Sequence, residues 1–165
     1  AGSEDLAGAD LVVVSIPVNH ITEQLPGILD TVGDDTLVID AGTCITYDMV
    51  NDHGEYLGGA ISPGLYMRYN ALHEFTDRLL LLTPENVLDF IGNATESSMH
   101  SGVVNGISLE IDGVINQYTT RFRDLTVILT GGDAQILSKR LKNTIFANSN
   151  FLLEGLNYSL EYNKR

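Results

Sequence analysis

Residues 37–48 read LVIDAGTCITYD. An apolar strand runs into an acid, Asp40, then a tight Ala41-Gly42 turn and Thr43, and an alternating strand follows. Such a turn between strands places backbone N–H groups and a hydroxyl at one point, which suits a phosphate. A glycine pair, Gly131-Gly132, closes another apolar run, LTVILT at 125–130, and Asp133 comes next. Thr95 stands at the start of a long amphipathic stretch. Each feature has a plainer reading on its own. Asp-Ala-Gly-Thr can be a tight turn with a satisfied acid, Thr95 a helix N-cap, and Gly131-Gly132-Asp133 a helix entry. His20, His53, His73 and His100 show no ligand spacing and read as surface or packing residues.

The elements that would position these residues follow from periodicity. Residues 10–16 (DLVVVSI) are a continuous apolar, β-branched run, as expected of a buried parallel strand, and Pro17 ends it. Ile21, Leu25, Ile28 and Leu29 share one helical face, with Pro26 as a blemish, and Gly33-Asp34-Asp35 ends that helix. Residues 36–40 are the second buried strand, completing a strand–helix–strand unit. The pattern then changes. Residues 44–49 and 56–61 flank a turn signal, Asn51-Asp52-His53-Gly54, and with strand 37–40 they make an antiparallel meander. Ser62-Pro63-Gly64 leads into a helix through Leu65, Leu72 and Phe75. A second helix spans about 95–118, its stripe formed by Met99, Val103, Ile107, Ile111, Val114, Ile115 and Tyr118. Gly102 and Gly106 lie on or beside that stripe, where glycine permits close packing at some cost in helix stability. Strand 125–130, a short helix, a short strand and a last helix complete the chain.

The 165 residues make one domain the first expectation, long enough to bury about 70% of the unfolded surface. Lys and Arg total 9 against 22 Asp and Glu, a formal net charge of −13. That balance argues against nucleic acid as a partner, since phosphate neutralisation needs basic patches. An anionic small molecule must be met by local donors or a bound cation. No apolar run approaches the ~18 residues of a membrane span, and no cationic, apolar leader points to secretion. Cys44 is the only cysteine; it cannot form an internal disulfide and reads as a small buried hydrophobe. A cytoplasmic location is therefore expected.

From residue 37 onward several motifs occur in order: LVIDAGTCITYD, EYLGGAISPGLYMRYNALHEFTDRLLLL, IGNATESSMHSGVVNG and LTGGDA. Together they resemble the second half of a type III pantothenate kinase. The resemblance implies an α/β fold of the ribonuclease-H-like, actin/hexokinase type over residues 37–165. It also implies ATP-dependent phosphorylation of pantothenate in coenzyme A synthesis, in a homodimer. In that family the acid matching Asp40 binds a monovalent cation, usually potassium. The threonine matching Thr43, beside Gly42, contacts ATP; the threonine matching Thr95 contacts pantothenate; and Gly131 and Gly132 match the glycine pair near the nucleotide.

Residues 3–42 resemble something else: a strand, helix and strand of a prephenate-dehydrogenase-type Rossmann domain, with Ala-Asp before the strand, Val-Ser-Ile-Pro at its end and Gly-Asp-Asp before the next. An alternative is a remnant of the kinase's own first domain. Residues 37–42 satisfy both families, which marks them as a splice point and suggests an engineered chimera, with a truncated or recombined natural chain as the other reading. The kinase family uses an Asp-x-Gly-Asn-Thr loop with a nearby lysine, and a Gly-x-Asp-Arg segment whose aspartate is the catalytic base. Neither occurs here, so no catalytic residue is assigned and turnover is expected to be absent. NAD binding is not expected either, because the Gly-x-Gly-x-x-Gly strand–turn–helix is missing. The splice raises a topological conflict. The kinase reading gives strand 37–40 two neighbours, 44–49 and 125–130, whereas the Rossmann reading places strand 10–16 beside it, and a strand has only two edges.

Overall fold

The computed structural model describes residues 35–87 and 89–162. Strand 10–16 and the helix through Ile21 and Leu29 lie outside the described residues, as does most of the Rossmann-like unit.

A mixed five-stranded sheet of order β3-β2-β1-β4-β5 organises the molecule. β1 (Thr36–Ala41) is central and buried on both faces except at Asp40. It pairs antiparallel with β2 (Cys44–Val50) and parallel with β4 (Thr126–Thr130). Both kinase-type neighbours are therefore present and both edges of β1 are occupied, so no third strand can join it. β2 pairs antiparallel with β3 (Tyr56–Pro63), giving the expected meander. The turn between them is set by Asn51, whose side-chain oxygen accepts the N–H groups of His53 at 3.1 Å and Glu55 at 2.8 Å. Gly54 takes the left-handed φ of 74° that this turn needs. The two-residue β5 (Phe146–Ala147) adds a parallel edge to β4.

One face of the sheet carries the main core. Leu37, Ile39 and Ala41 of β1, Ile45 and Tyr47 of β2 and Leu129 of β4 pack under α1 (Leu65–Glu74) and the long helix. That helix is continuous but not uniform: α2 (Thr95–His100), a π-helical turn (Ser101–Asn105) and α3 (Gly106–Arg121) follow one another. Its stripe faces the core as the periodicity requires, with Met99, Val103, Ile107, Ile111 and Ile115 buried and Val114 and Tyr118 packed against them. The glycine expectation is corrected. A Cβ added at Gly102 or Gly106 would meet nothing within 4 Å, so neither residue serves a close packing contact among the described residues. α4 (Ala134–Ser138) follows β4. The opposite face of the sheet is smaller, with Val38, Val50 and Ile128 under Phe151 of α5 (Phe151–Tyr162).

The π-helical turn anchors a strap. Asn105, buried there, donates from Nδ2 to the Asp89 carbonyl, and Ser101 Oγ donates to the Phe90 carbonyl at 2.7 Å. Arg140 completes the knot, donating to Asn105 Oδ1, the Val87 carbonyl and Asn86 Oδ1.

Candidate functional site

β1 and β4 are adjacent and parallel, so their carboxyl ends open at the same place, where α/β sheets present ligand sites. Register pairs Asp40 with Thr130 across the two strands. Their side chains share the face of Val38 and Ile128. Gly131 follows immediately with a φ of 93°, and a Cβ there would overlap Asp40 Oδ1 and the Ala41 carbonyl oxygen. That carbonyl accepts the Asp133 N–H at 2.9 Å. Thus Asp40, Gly42, Thr43 and Gly131 come together, while Gly132 lies exposed beside them.

The carboxylate of Asp40 forms no hydrogen bond or ion pair among the described residues. The plainer alternative, an acid satisfied within its own turn, finds no donor there. Burial pushes its pKa above the ordinary carboxylate value, and the charge of Asp48 pushes the same way. Asp48 is provided for, receiving hydrogen bonds from Thr46 Oγ1 and the Tyr56 hydroxyl, both at 2.9 Å. Thr130 Oγ1 is buried with no hydrogen-bond partner among the described residues. Two oxygen groups, one anionic and one neutral, are left unmatched side by side, a donor set that suits a hard cation.

The Gly42-Thr43 turn is clamped from below. Gly64 N–H donates to the Thr43 carbonyl at 3.0 Å, and a Cβ on Gly64 would overlap the Gly42 carbonyl oxygen. Gly42 N–H is spent inside the turn, donating to the Cys44 carbonyl at 2.9 Å, so it is not free for a ligand. The exposed Thr43 keeps its hydroxyl and N–H free of partners among the described residues. Cys44 is a free, half-buried thiol in the same turn. Above the turn lies a cavity of 360 Å³ lined by Gly42, Thr43, Tyr66, Met67, Asn70 and Asp133.

Thr95 is elsewhere. It lines a larger cleft, of 1180 Å³, between α1 and α2, with Arg68, Phe75, Ser98 and Met99 among the walls. α1 separates the two cavities and contributes to both. Nor is Thr95 the N-cap: that position is Ala94, and Ser97 Oγ accepts the N–H groups of Asn93 and Ala94 at 3.1 and 3.0 Å. The Thr95 hydroxyl is exposed and free of protein partners among the described residues. The arginine of this cleft is held by β3 and α3. Arg68 Nε donates to the Pro63 carbonyl at 2.9 Å, and Nη2 donates to Ser62 Oγ and, at 2.5 Å, to Glu110. Burial raises the pKa of Glu110, but hydrogen bonds from Arg68, Ser62 and Tyr47 and the Arg68 charge outweigh it and leave it below the ordinary value.

Sequence reasoning did not single out Arg68, Glu110 or Thr130, and read Asp133 only as part of a helix entry. An acid directly after the glycine pair was a local signal for Asp133. No local signal exists for Arg68 and Glu110, which stand 42 residues apart. Of the described histidines, His53 and His73 are exposed and His100 is a packing residue, bonded through Nδ1 to the Tyr69 hydroxyl at 2.8 Å.

The ordered motifs and the shared strand ends meet in one comparison: the profile of the type III pantothenate kinase family matches residues 5–117. The chain belongs to the type III pantothenate kinase family. Proteins named type III pantothenate kinase from Christiangramia forsetii, Flavobacterium johnsoniae and Bacteroides fragilis are 61%, 60% and 49% identical to it, over 80%, 76% and 79% of this chain. Those alignments cover 54%, 52% and 54% of the relatives, so the chain spans about half their length. A solved Campylobacter jejuni protein, described as a candidate Baf family transcriptional activator, has the same fold, with a TM-score of 0.64 at 23% identity over 94% of this chain and 68% of that one. The pantothenate kinase family match begins at residue 5 and so takes in nearly all of the segment that resembles a dehydrogenase. Among the described residues, no helix is long and apolar enough to cross a membrane.

Proposed function

We propose that this chain provides the nucleotide-, cation- and pantothenate-binding half of an ATP-dependent pantothenate kinase of coenzyme A synthesis, on a ribonuclease-H-like sheet. The observation that carries the reading is the meeting of Asp40, Thr43 and Gly131 at the carboxyl ends of two adjacent parallel strands. The meander followed by a strand parallel to β1 supports the fold assignment. Because the family match starts at residue 5, we favour residues 3–42 as a remnant of the kinase's own first domain over an engineered dehydrogenase graft.

In this reading Thr43 offers its hydroxyl and N–H to nucleotide phosphate. Asp40 and Thr130 would hold a monovalent cation such as potassium, for which their unmatched oxygens are suited. Such an ion supplies positive charge where the carboxylate would otherwise repel phosphate. Thr95 and the apolar walls of the larger cleft would receive pantothenate. A homodimer belongs to the same reading, and the strongly exposed Phe75 and Ile91, at 87% and 81%, are candidates for its interface; sedimentation at micromolar concentration tests it.

Titration calorimetry with ATP in potassium chloride tests the binding claim, and a flat trace at millimolar ATP would remove it. For turnover we propose none by these 165 residues alone, since no Asp-x-Gly-Asn-Thr loop and no Gly-x-Asp-Arg segment occurs in them, and phosphoryl transfer depends on such positioning and charge. A coupled assay with pantothenate decides this, and a rate of ~1 s⁻¹, ordinary for an enzyme, would overturn it.

A further inference from the structure

Asp133 is 8% exposed and occupies the N-cap position of α4, yet its side chain makes no capping hydrogen bond. An aspartate at that position ordinarily accepts from the first turn. Here the backbone N–H is tied to the Ala41 carbonyl, and the carboxylate has no partner among the described residues. Asp133 is one of the residues lining the 360 Å³ cavity that Gly42 and Thr43 also line. Burial raises its pKa, as expected for a carboxylate lacking donors.

Among the described residues the cavity has no cationic lining: its other walls are Tyr66, Met67 and Asn70. Asp40 stands just beyond Gly131. A polyphosphate entering beside Thr43 therefore meets carboxylates with no lysine or arginine between them. Repulsion between unit charges a few ångströms apart reaches several kcal/mol in such a partly desolvated place. A bridging cation removes it. Magnesium is bound in this manner, through one or two carboxylates together with substrate phosphates rather than by an all-protein cage.

We propose that Asp133 is the protein's ligand, direct or through water, for the divalent cation that enters with the nucleotide phosphates. The proposal rests on the nucleotide reading of the Thr43 turn. It assigns the divalent ion to the glycine-pair side of the cavity, apart from the monovalent site suggested at Asp40 and Thr130.

The test is calorimetric titration of ATP into the full chain in potassium chloride, with magnesium or with a chelator, for wild type and Asp133→Asn. Magnesium should tighten ATP binding to wild type by roughly 5–150-fold, the usual range of coupling between linked ligands. In Asp133→Asn that ratio should fall close to one, because the amide removes the repulsion and the ligand together. Asparagine fits the same space and carries no buried charge, so folding should survive, and a thermal melt verifies it. As an independent reading, the electron paramagnetic resonance signal of Mn²⁺ with ATP should change further on adding wild type, beyond the change that ATP alone produces, and should not do so on adding Asp133→Asn. A magnesium ratio of one in wild type, or an undiminished ratio in Asp133→Asn, overturns the assignment while leaving nucleotide binding intact. Absence of ATP binding under every condition overturns both.

Discussion

Gly131 lies directly against the carboxylate of Asp40: a methyl group at its Cα would occupy the space of Oδ1 and of the Ala41 carbonyl oxygen. The strand that follows the long helix is thereby locked onto the strand that carries the cation-site candidate. The φ of 93° at Gly131 adds a second reason for glycine.

Gly131→Ala should therefore lower stability by at least about 1–3 kcal/mol, from left-handed strain and overpacking against backbone. Urea unfolding measures it. Gly132→Ala serves as the control, since a Cβ there meets nothing within 4 Å. Equal losses in the two variants would mean that the contact with Asp40 is not what demands glycine.

Asp40 should make stability depend on a cation. Its folded pKa is raised by burial and by Asp48. A raised carboxylate contributes stability that is fully present below its unfolded pKa and lost as pH rises through the folded pKa. At neutral pH the ionised group is thus a cost, which a bound cation offsets. Potassium should raise the melting temperature of wild type at pH 7 by about 2–4 °C per kcal/mol of binding. Asp40→Asn should melt higher than wild type in choline chloride and show no potassium response. A potassium response that persists in Asp40→Asn would relocate the ion.

Glu110 should behave in the opposite sense. Its pKa is held below the ordinary value, chiefly by Arg68 against the effect of burial. Its contribution is present above the unfolded pKa and disappears as pH falls through the lowered folded pKa. Glu110→Gln should cost about 1–3 kcal/mol at pH 7, because Arg68 and the Tyr47 hydroxyl lose an ionised acceptor. The difference from wild type should shrink in urea titrations as pH is lowered below the ordinary carboxylate range. A pH-independent difference would assign the loss to packing alone.

Arg140 should pin the strap that borders the larger cleft. Its guanidinium reaches Asn86, Val87 and Asn105 at once. Arg140→Leu should speed amide exchange in residues 86, 87 and 89–92 by tenfold or more, corresponding to ~1.4 kcal/mol of lost local stability, while the amides of β1 exchange unchanged. Uniform acceleration across the sheet would show that Arg140 supports the global fold rather than the strap.

Much of the architecture was legible in the sequence because its signals are local. Strand 36–41 is apolar on both faces, as a central strand must be. The Asn51 to Gly54 turn carries its own geometry, and the helical stripe from Met99 to Tyr118 follows the period of a helix. The motifs from Asp40 to Asp133 placed the chain in its family through residue types and order alone. Local signals could not say which groups would be left without partners. Taken alone, Asp40 could be a satisfied acid and Thr95 an N-cap, and only the ordered motifs favoured a site; among the described residues the fold leaves the Asp40 carboxylate unmatched beside the Thr130 hydroxyl and gives the cap to Ala94. Nor could they settle the neighbours of β1, since the sequence runs 10–16 and 125–130 are both apolar and β-branched. Tertiary structure decided that, by filling both edges of β1 with β2 and β4. It also joined Arg68 to Glu110 across 42 residues and put Asp133 on the wall of the cavity that Thr43 lines. The physical reason is common to these cases. Hydrogen bonding, burial and charge compensation belong to pairs of groups, and only the packed chain brings residues distant in sequence within reach of one another.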